Sequence, residues 1–386
     1  MINSFKYIFV KTTTSWFIGS SHHFLSFSLD GTAIAGTKKA EKRNFGNPFK
    51  GLFYGQDHVQ VWETATGAAT SSFTCSSFVV FSPTDPNLAA LVRPGFIHIL
   101  KRDSFGGKTW GGQYKHQHCE AADTVCTFNS DGTTILRSWN QRYQNGLREY
   151  DVTTWSHMQT SPFVYNITTV VRCPIKPGWF VVGDQKGELE VVSNRPVSSS
   201  NFRSHGRLIP INPVRVSACA WSQDGRWIAT GNDDGDTSLW NAGDPACVSF
   251  AMLLPRNQLE PNTSNPTTSL VFVPDSTALI IICGGYLSVW DIEKAEYVTD
   301  SGLPDTAVNI ALDGPRNRLA VAANEKITIY ELKLAENSKQ MCQMDSDGKW
   351  KQLITFKSLL YLTFIVLIKN LPSLFVVSFL LFALVI

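Results

Sequence analysis

A short signature that returns about every 47 residues constrains this chain more than any other feature of its 386 residues. It is clearest across residues 221–241. There Trp221-Ser222-Gln223-Asp224-Gly225 reads as a strand end and a tight turn, and Trp227-Ile228-Ala229-Thr230-Gly231 as a second strand. A further turn over residues 232–236 leads to a third strand, Thr237-Ser238-Leu239-Trp240-Asn241. The turn recurs at Asp30-Gly31, Pro83-Thr84-Asp85, Asp131-Gly132, Pro177-Gly178, Pro274-Asp275 and Asp313-Gly314. Anchored at residues 30, 85, 131, 177, 224, 275 and 313, the spacings are 55, 46, 46, 47, 51 and 38. A period of about 40–50 residues carrying one meander each marks a radial repeat fold. Such repeats more often make extended binding surfaces than active sites.

Short apolar strands precede the anchors at residues 24–27, 78–81, 125–128, 170–173, 216–221, 270–273 and 308–312. Second strands follow, as at residues 88–92, 180–183, 278–283 and 319–322. Third strands often end in an aromatic: Val59-Gln60-Val61-Trp62, Ser238-Leu239-Trp240, Leu287-Ser288-Val289-Trp290-Asp291 and Thr328-Ile329-Tyr330. Alternation puts Val59, Val61, Leu287 and Val289 on one face, the pattern of half-buried antiparallel strands. The expected fold is all-β, a seven-bladed β-propeller of four-stranded antiparallel blades, followed by a C-terminal hydrophobic segment of helical character. A ring must hide its edge strands. Residues 5–10 alternate like a strand and are a candidate for the outer place of the seventh blade. Residues 350–356 are the rival.

Over roughly residues 1–334 this pattern resembles the WD-repeat family of propellers. Trp290-Asp291 preserves the family dipeptide, while other blades carry Trp62-Glu63, Trp240-Asn241 and Tyr330-Glu331. The resemblance implies a hydrogen-bonded set in each blade: a loop His, a second-strand Ser or Thr, a turn Asp and the third-strand Trp. The fifth blade offers Thr230, Asp234 and Trp240, with His205 as a displaced fourth member. Most blades lack the full set, so apolar burial between blades is expected to hold the ring.

The formal net charge of +2 gives no field to attract nucleic acid, and none is expected as a partner. Eight cysteines are scattered without CxxC spacing. Cys126, Cys173, Cys219, Cys247 and Cys283 fall in expected strands and read as reduced core residues of an intracellular protein. The first residues lack a charged-then-apolar targeting pattern, because Lys6 and Lys11 interrupt a strand-like stretch. A monomeric propeller is expected.

Composition changes after the polar linker of residues 335–352. Residues 353–386 are almost wholly apolar, with Lys357 and Lys369 their only charges. As one helix, the 29 residues 358–386 would extend about 43 Å against about 30 Å of hydrocarbon. That would hold Lys369 deep in lipid, at about 2.5–3.5 kcal/mol, and Pro372 marks a break or kink. A short anchor over residues 371–386, including Leu371, Phe375, Phe379 and Phe382, avoids that cost, as does a re-entrant hairpin about Lys369-Asn370-Leu371-Pro372. Lys349, Lys351 and Lys357 precede the run and nothing charged follows it, which puts the propeller on the cytosolic side. A packed helix pair and an extension past a splice boundary are the competing readings. With the tail, the expected location is the cytoplasmic face of an intracellular membrane; without it, the cytoplasm.

His116-Gln117-His118-Cys119-Glu120 resembles a metal cluster but precedes a first strand, where WD repeats carry their loop histidine. Asp233-Asp234-Gly235-Asp236 lacks the later bidentate Glu of a helical calcium loop and fits a β-turn. No nucleophile elbow, P-loop or dinucleotide fingerprint occurs. No catalytic residue, metal or cofactor is therefore expected. The first blade has an excess over the repeat, residues 38–56, with Lys38, Lys39, Lys42, Arg43 and Lys50 beside Phe45 and Phe49. Basic and aromatic residues together suit a protein partner or a phosphate-bearing surface. The leading expectation is a non-catalytic interaction scaffold, binding other proteins through its loop face. The alternative rests on layout: a cytosolic propeller with a C-terminal membrane segment is similar to the membrane-anchored exchange factors for the small GTPase of vesicle-coat assembly. Their first-blade loop binds the GTPase, but residues 45–55 here lack that family's glycine-rich potassium-binding run.

Overall fold

The computed structural model describes residues 7–11, 16–17, 24–38, 58–74, 78–93, 96–102, 109–113, 125–141, 144–194, 202–210, 213–254, 265–298, 303–323, 326–334, 341–344 and 350–353. The chain divides into two compact units, Phe9–Leu332 and Met1–Ile8 with Lys333–Ile386. In the latter, Met341–Met344 and Trp350–Leu353 form an antiparallel hairpin.

The larger unit is an all-β, seven-bladed propeller of antiparallel four-stranded blades. In the fifth blade the strands run Val216–Trp221, Trp227–Asn232, Thr237–Asn241 and Ser249–Leu254, each paired with the next. The other blades repeat this meander from first strands Leu25–Phe27, Phe78–Phe81, Cys126–Phe128, Ile167–Arg172, Thr267–Phe272 and Asn309–Asp313. Consecutive first strands touch all the way round, that of the seventh blade meeting that of the first. The seam combines the two ends of the repeat region. Beside the third strand of the seventh blade, Lys326–Leu334, lies Tyr7–Lys11. Trp16–Phe17 also pairs with that strand, Trp16 opposite Ile327. The rival segment is engaged elsewhere, in the hairpin with Met341–Met344.

The periodic turns owe their geometry to local side chains. Ser28 Oγ donates to Asp30 Oδ1 (2.6 Å) while accepting from the Ala33 N–H (3.0 Å). Ser222 does the same with Asp224 (2.6 Å) and the Trp227 N–H (2.8 Å). The chain then reverses through a left-handed glycine, Gly31 at φ 58° and Gly225 at φ 75°, a conformation that costs glycine little. At Gly225 a side chain is excluded twice over, because Ile175 of the preceding blade lies where a Cβ would stand.

The core is a series of layers between blades. One cluster joins Leu25, Phe27, Ile34 and Trp62 of the first blade to Ala311, Ala320 and Ile329 of the seventh. Others join first to second, second to third, third to fourth, fourth to fifth and fifth to sixth. The third-strand aromatic sits in the layer toward the preceding blade each time: Trp62, Tyr150, Trp240 and Trp290. Trp240 is 2 % exposed, against Val181, Leu189 and Val191 of the fourth blade.

The cysteines depart from expectation at two places. Cys126, Cys219 and Cys283 lie in strands, whereas Cys173 is buried one residue past a strand end. Cys247 is exposed on the short 3-10 helix Pro245–Cys247. Asp244 caps that turn through the Ala246 N–H, and Pro245 has no N–H to give a ladder, so the sequence there cannot continue as a strand. Burial pushes the Cys126 and Cys219 thiols up to about 12, which keeps them neutral and unreactive.

Replacing Trp240 by Ala should cost about 3–5 kcal/mol, with Trp240→Phe losing clearly less. Denaturant midpoints of the two variants test this; equal, negligible losses would mean the blade interface does not depend on the aromatic.

Candidate interaction face

The residues expected to lock the fifth blade are only partly brought together. Trp240 Nε1 donates to Thr230 Oγ1 at 2.9 Å across neighbouring strands. Asp234 is on the following turn, where its backbone N–H donates to Asn232 Oδ1. Asn232 organises that turn, taking the Asp236 N–H as well at 2.8 Å. His205 belongs to the outer strand of the fourth blade, Arg203–Leu208, where it bonds Ser193 Oγ at 2.7 Å and stacks on Trp179 at 4.1 Å. It is thus no fourth member of the set: strand pairing carries its side chain onto the fourth blade.

Trp62 and Trp290 are buried, but Trp290 Nε1 has no hydrogen-bond partner, so the indole serves by volume. Asp291 caps the next turn instead, accepting from the Glu293 and Lys294 N–H groups (3.1 and 3.2 Å) and from Thr277 Oγ1 (2.9 Å). Asp151 holds the same place in the third blade, accepting from the Thr153 and Thr154 N–H groups. Tyr150-Asp151 is therefore a third-strand aromatic–acid pair that the repeat spacing should have revealed.

Antiparallel order gives the ring two unlike ends. One carries the turns from first to second strand and from third to outer strand. Here neighbours are stitched together. Arg102 of the second blade bonds Asp30 Oδ2 (2.7 Å) and Thr32 Oγ1 (2.8 Å) of the first. Arg316 and Arg318 of the seventh reach the Leu29 and Gly31 carbonyls (2.9 and 2.7 Å). The Gly178 N–H of the fourth meets Asn129 Oδ1 of the third (2.8 Å). Burial alone would raise the Asp30 carboxyl, but hydrogen bonds from Ser28, Thr32 and Arg102 bring it down to about 2.

The opposite end carries the second-to-third-strand turns and the connections that enter each new blade. Val164 and Ile209 are exposed there, at 62 % and 63 %, with Val308 entering the seventh blade. Val164 lines a shallow surface groove with Phe163, Tyr165, Glu188, Glu190 and Arg207, too small to enclose a small molecule. Its apolar residues with a charged rim suit a protein contact. Beneath it Asp184 caps the turn through the Lys186 and Glu188 N–H groups (2.8 and 3.0 Å). Its carboxyl is raised, first by burial and further by Glu188. On the next blade Arg215 pairs with Asp233 at 3.1 Å, so that acidic run serves a turn.

Lys38 ends the second strand of the first blade, opposite His58. Lys39, Lys42, Arg43, Phe45, Phe49 and Lys50 lie outside the described residues, as do residues 116–120 and the tail with Leu371, Phe375, Phe379 and Phe382. Among the described residues no group of three His, Cys, Asp or Glu could hold a metal ion, and no helix is long and apolar enough to cross a membrane. No known protein family matches the chain, and no curated protein is similar to it in sequence.

Two substitutions probe this architecture. Thr230→Val keeps the volume but orphans Trp240 Nε1, and should cost about 1–3 kcal/mol in a denaturant titration. Asp30→Asn should cost about 1 kcal/mol at neutral pH, discounted for its partial exposure. The folded carboxyl titrates below its unfolded value. Its contribution is therefore present above pH about 4 and lost as pH falls toward 2. The variant's acid-unfolding profile should be flatter over that window; an unchanged profile would exclude the clasp.

Proposed function

We propose that the chain is a non-catalytic interaction platform of the WD-repeat type, which engages protein partners through the end that carries the blade-entry connections. The observation that supports this most lies at that end itself: the connections entering the fourth, fifth and seventh blades present Val164, Ile209 and Val308 to solvent, the first beside Glu188, Glu190 and Arg207. At the opposite end Ile175 is also exposed, but the polar groups of the turns are engaged in bonds between neighbouring blades. The basic first-blade connection with Lys39, Lys42, Arg43, Phe45, Phe49 and Lys50 would open at the blade-entry end, adding charge and aromatic anchors to the contact. Because propellers host many unrelated activities, the proposal stays at the level of class.

The test is proximity labelling in cells with three forms: the full chain, Val164→Asp/Ile209→Asp, and residues 39–56 replaced by a short Gly-Ser linker. Loss of a common set of neighbours in both altered forms, at unchanged melting temperature, is the expected result. An unchanged set in both would defeat the assignment of that end as the binding face.

The apolar composition of residues 353–386 supports a membrane tether for this platform, with Lys349, Lys351 and Lys357 on the cytosolic side. Full-length protein should stay with membranes through an alkaline carbonate wash, while residues 1–335 are released. Identical behaviour of the two would remove the tether.

A further inference from the structure

Arg137 is 1 % exposed, and its Nε and Nη2 are sealed from solvent without a hydrogen-bond partner. These two nitrogens form one edge of the guanidinium, the edge that offers two parallel N–H groups to an oxyanion. Arginine does not escape the cost of burial by losing its proton, and a buried charge without a counter-charge is strongly unfavourable. The neighbours make the problem sharper. Arg137 stands opposite Arg148 in the strand register, a separation of about 5 Å between Cβ atoms. Trp139 stands opposite Gly146, and its Nε1 is also sealed and unpartnered. The Arg148 guanidinium lies 4.3 Å from the Trp139 ring centroid. Gly146 is required here, since a Cβ would meet Trp139 Nε1 at 2.6 Å. Among the described residues neither arginine forms an ion pair. Glu149 is on the other face of the blade, accepting from Thr134 Oγ1 and Asn194 Nδ2. On the face of Arg137 the surroundings are apolar or neutral: Ile135, Cys126, Tyr150, and Val92, Ile97 and Ile99 of the second blade.

We propose that Arg137, Trp139 and Arg148 bind a phosphoryl group against the third blade. Two guanidinium groups carry more positive charge than a carboxylate neutralises, and with the indole N–H they match a dianion with three terminal oxygens. The edge of Arg137 takes two of those oxygens, and Trp139 Nε1 and Arg148 take the third. Arg148, half-buried and held over the indole, is the member that a ligand meets first. This site differs in place and chemistry from the apolar groove at Val164, and it stands whether or not that groove binds protein.

The test uses the full chain and inorganic phosphate, with acetate at matched ionic strength as the comparison. Phosphate is expected to raise the melting temperature saturably and to bind measurably by calorimetry. Arg148→Gln should weaken binding at least tenfold. Arg137→Met should abolish it while the protein, relieved of a buried charge, melts no lower than wild type in phosphate-free buffer. Trp139→Phe should weaken binding with little effect on stability. Equal stabilisation by acetate, or phosphate binding that survives both arginine substitutions, would overturn the proposal. So would absence of any phosphate effect. The carboxylates of the preceding connection are a control: if Glu120→Gln/Asp123→Asn destabilises wild type but not Arg137→Met, the counter-ion belongs to the chain and the phosphoryl site is wrong.

Discussion

The interface between one blade's third-strand aromatic and the blade before it sets the terms for the rest of this molecule. A four-stranded meander has two faces and can bury neither alone. Trp62, Tyr150, Trp240 and Trp290 each turn back into the layer shared with the preceding blade, so every layer draws residues from two blades. At the closing layer the large side chain comes from the first blade and the seventh answers with small groups: Ala311, Ala320 and Ala322 lie in the layer with Trp62. This asymmetry gives the ring a direction and leaves the last layer dependent on the first blade. Closure is then a condition of burial, which explains why the seam borrows a strand from residues 7–11 to cover Lys326–Leu334.

Hydrogen bonding plays a secondary role, and its distribution is informative. Thr230 satisfies Trp240, but Trp290 Nε1 goes without a partner in a blade that keeps the Trp-Asp pair. The acid of that pair is tied up in the next turn, as Asp151 is in the third blade. The dipeptide therefore combines two independent tasks, volume for the layer and a cap for the hairpin. That is why the two residues drift separately through Trp-Glu, Tyr-Asp, Trp-Asn and Tyr-Glu while the architecture persists.

What the amino-acid sequence reveals follows the range of the interactions concerned. Blade number and first strands were legible because the turns are local: Ser28, Asp30 and Gly31 build theirs without help from afar. The placement of His205 was not, because whether a residue after a strand joins the outer strand or the next connection depends on pairing with Ser193 and Trp179. Cys247 lies outside a strand for a local reason, the Asp244-Pro245 start of a 3-10 turn. The stitching of Arg102 to Asp30 crosses 72 residues and leaves no periodic trace. Likewise the burial of Arg137 has no signature: in the sequence it is one charged residue in a strand, and only the neighbouring blade removes it from water.

That last case separates two kinds of polar burial in the same blade. Glu149 is fully buried on one face, yet Thr134 and Asn194 donate to it, and Asn194 comes from the next blade. Its burial joins third blade to fourth and is explained by the architecture. Arg137 on the other face is buried to the same degree, finds no partner for Nε and Nη2 among the described residues, and faces a like charge in Arg148. A structural arginine is retained because its donors are used; here the pair of donors with the most directional demand is idle, together with the indole N–H beside it. Replacement by an apolar side chain would serve the layer better; under the proposal of a phosphoryl site, the charge is kept for a ligand.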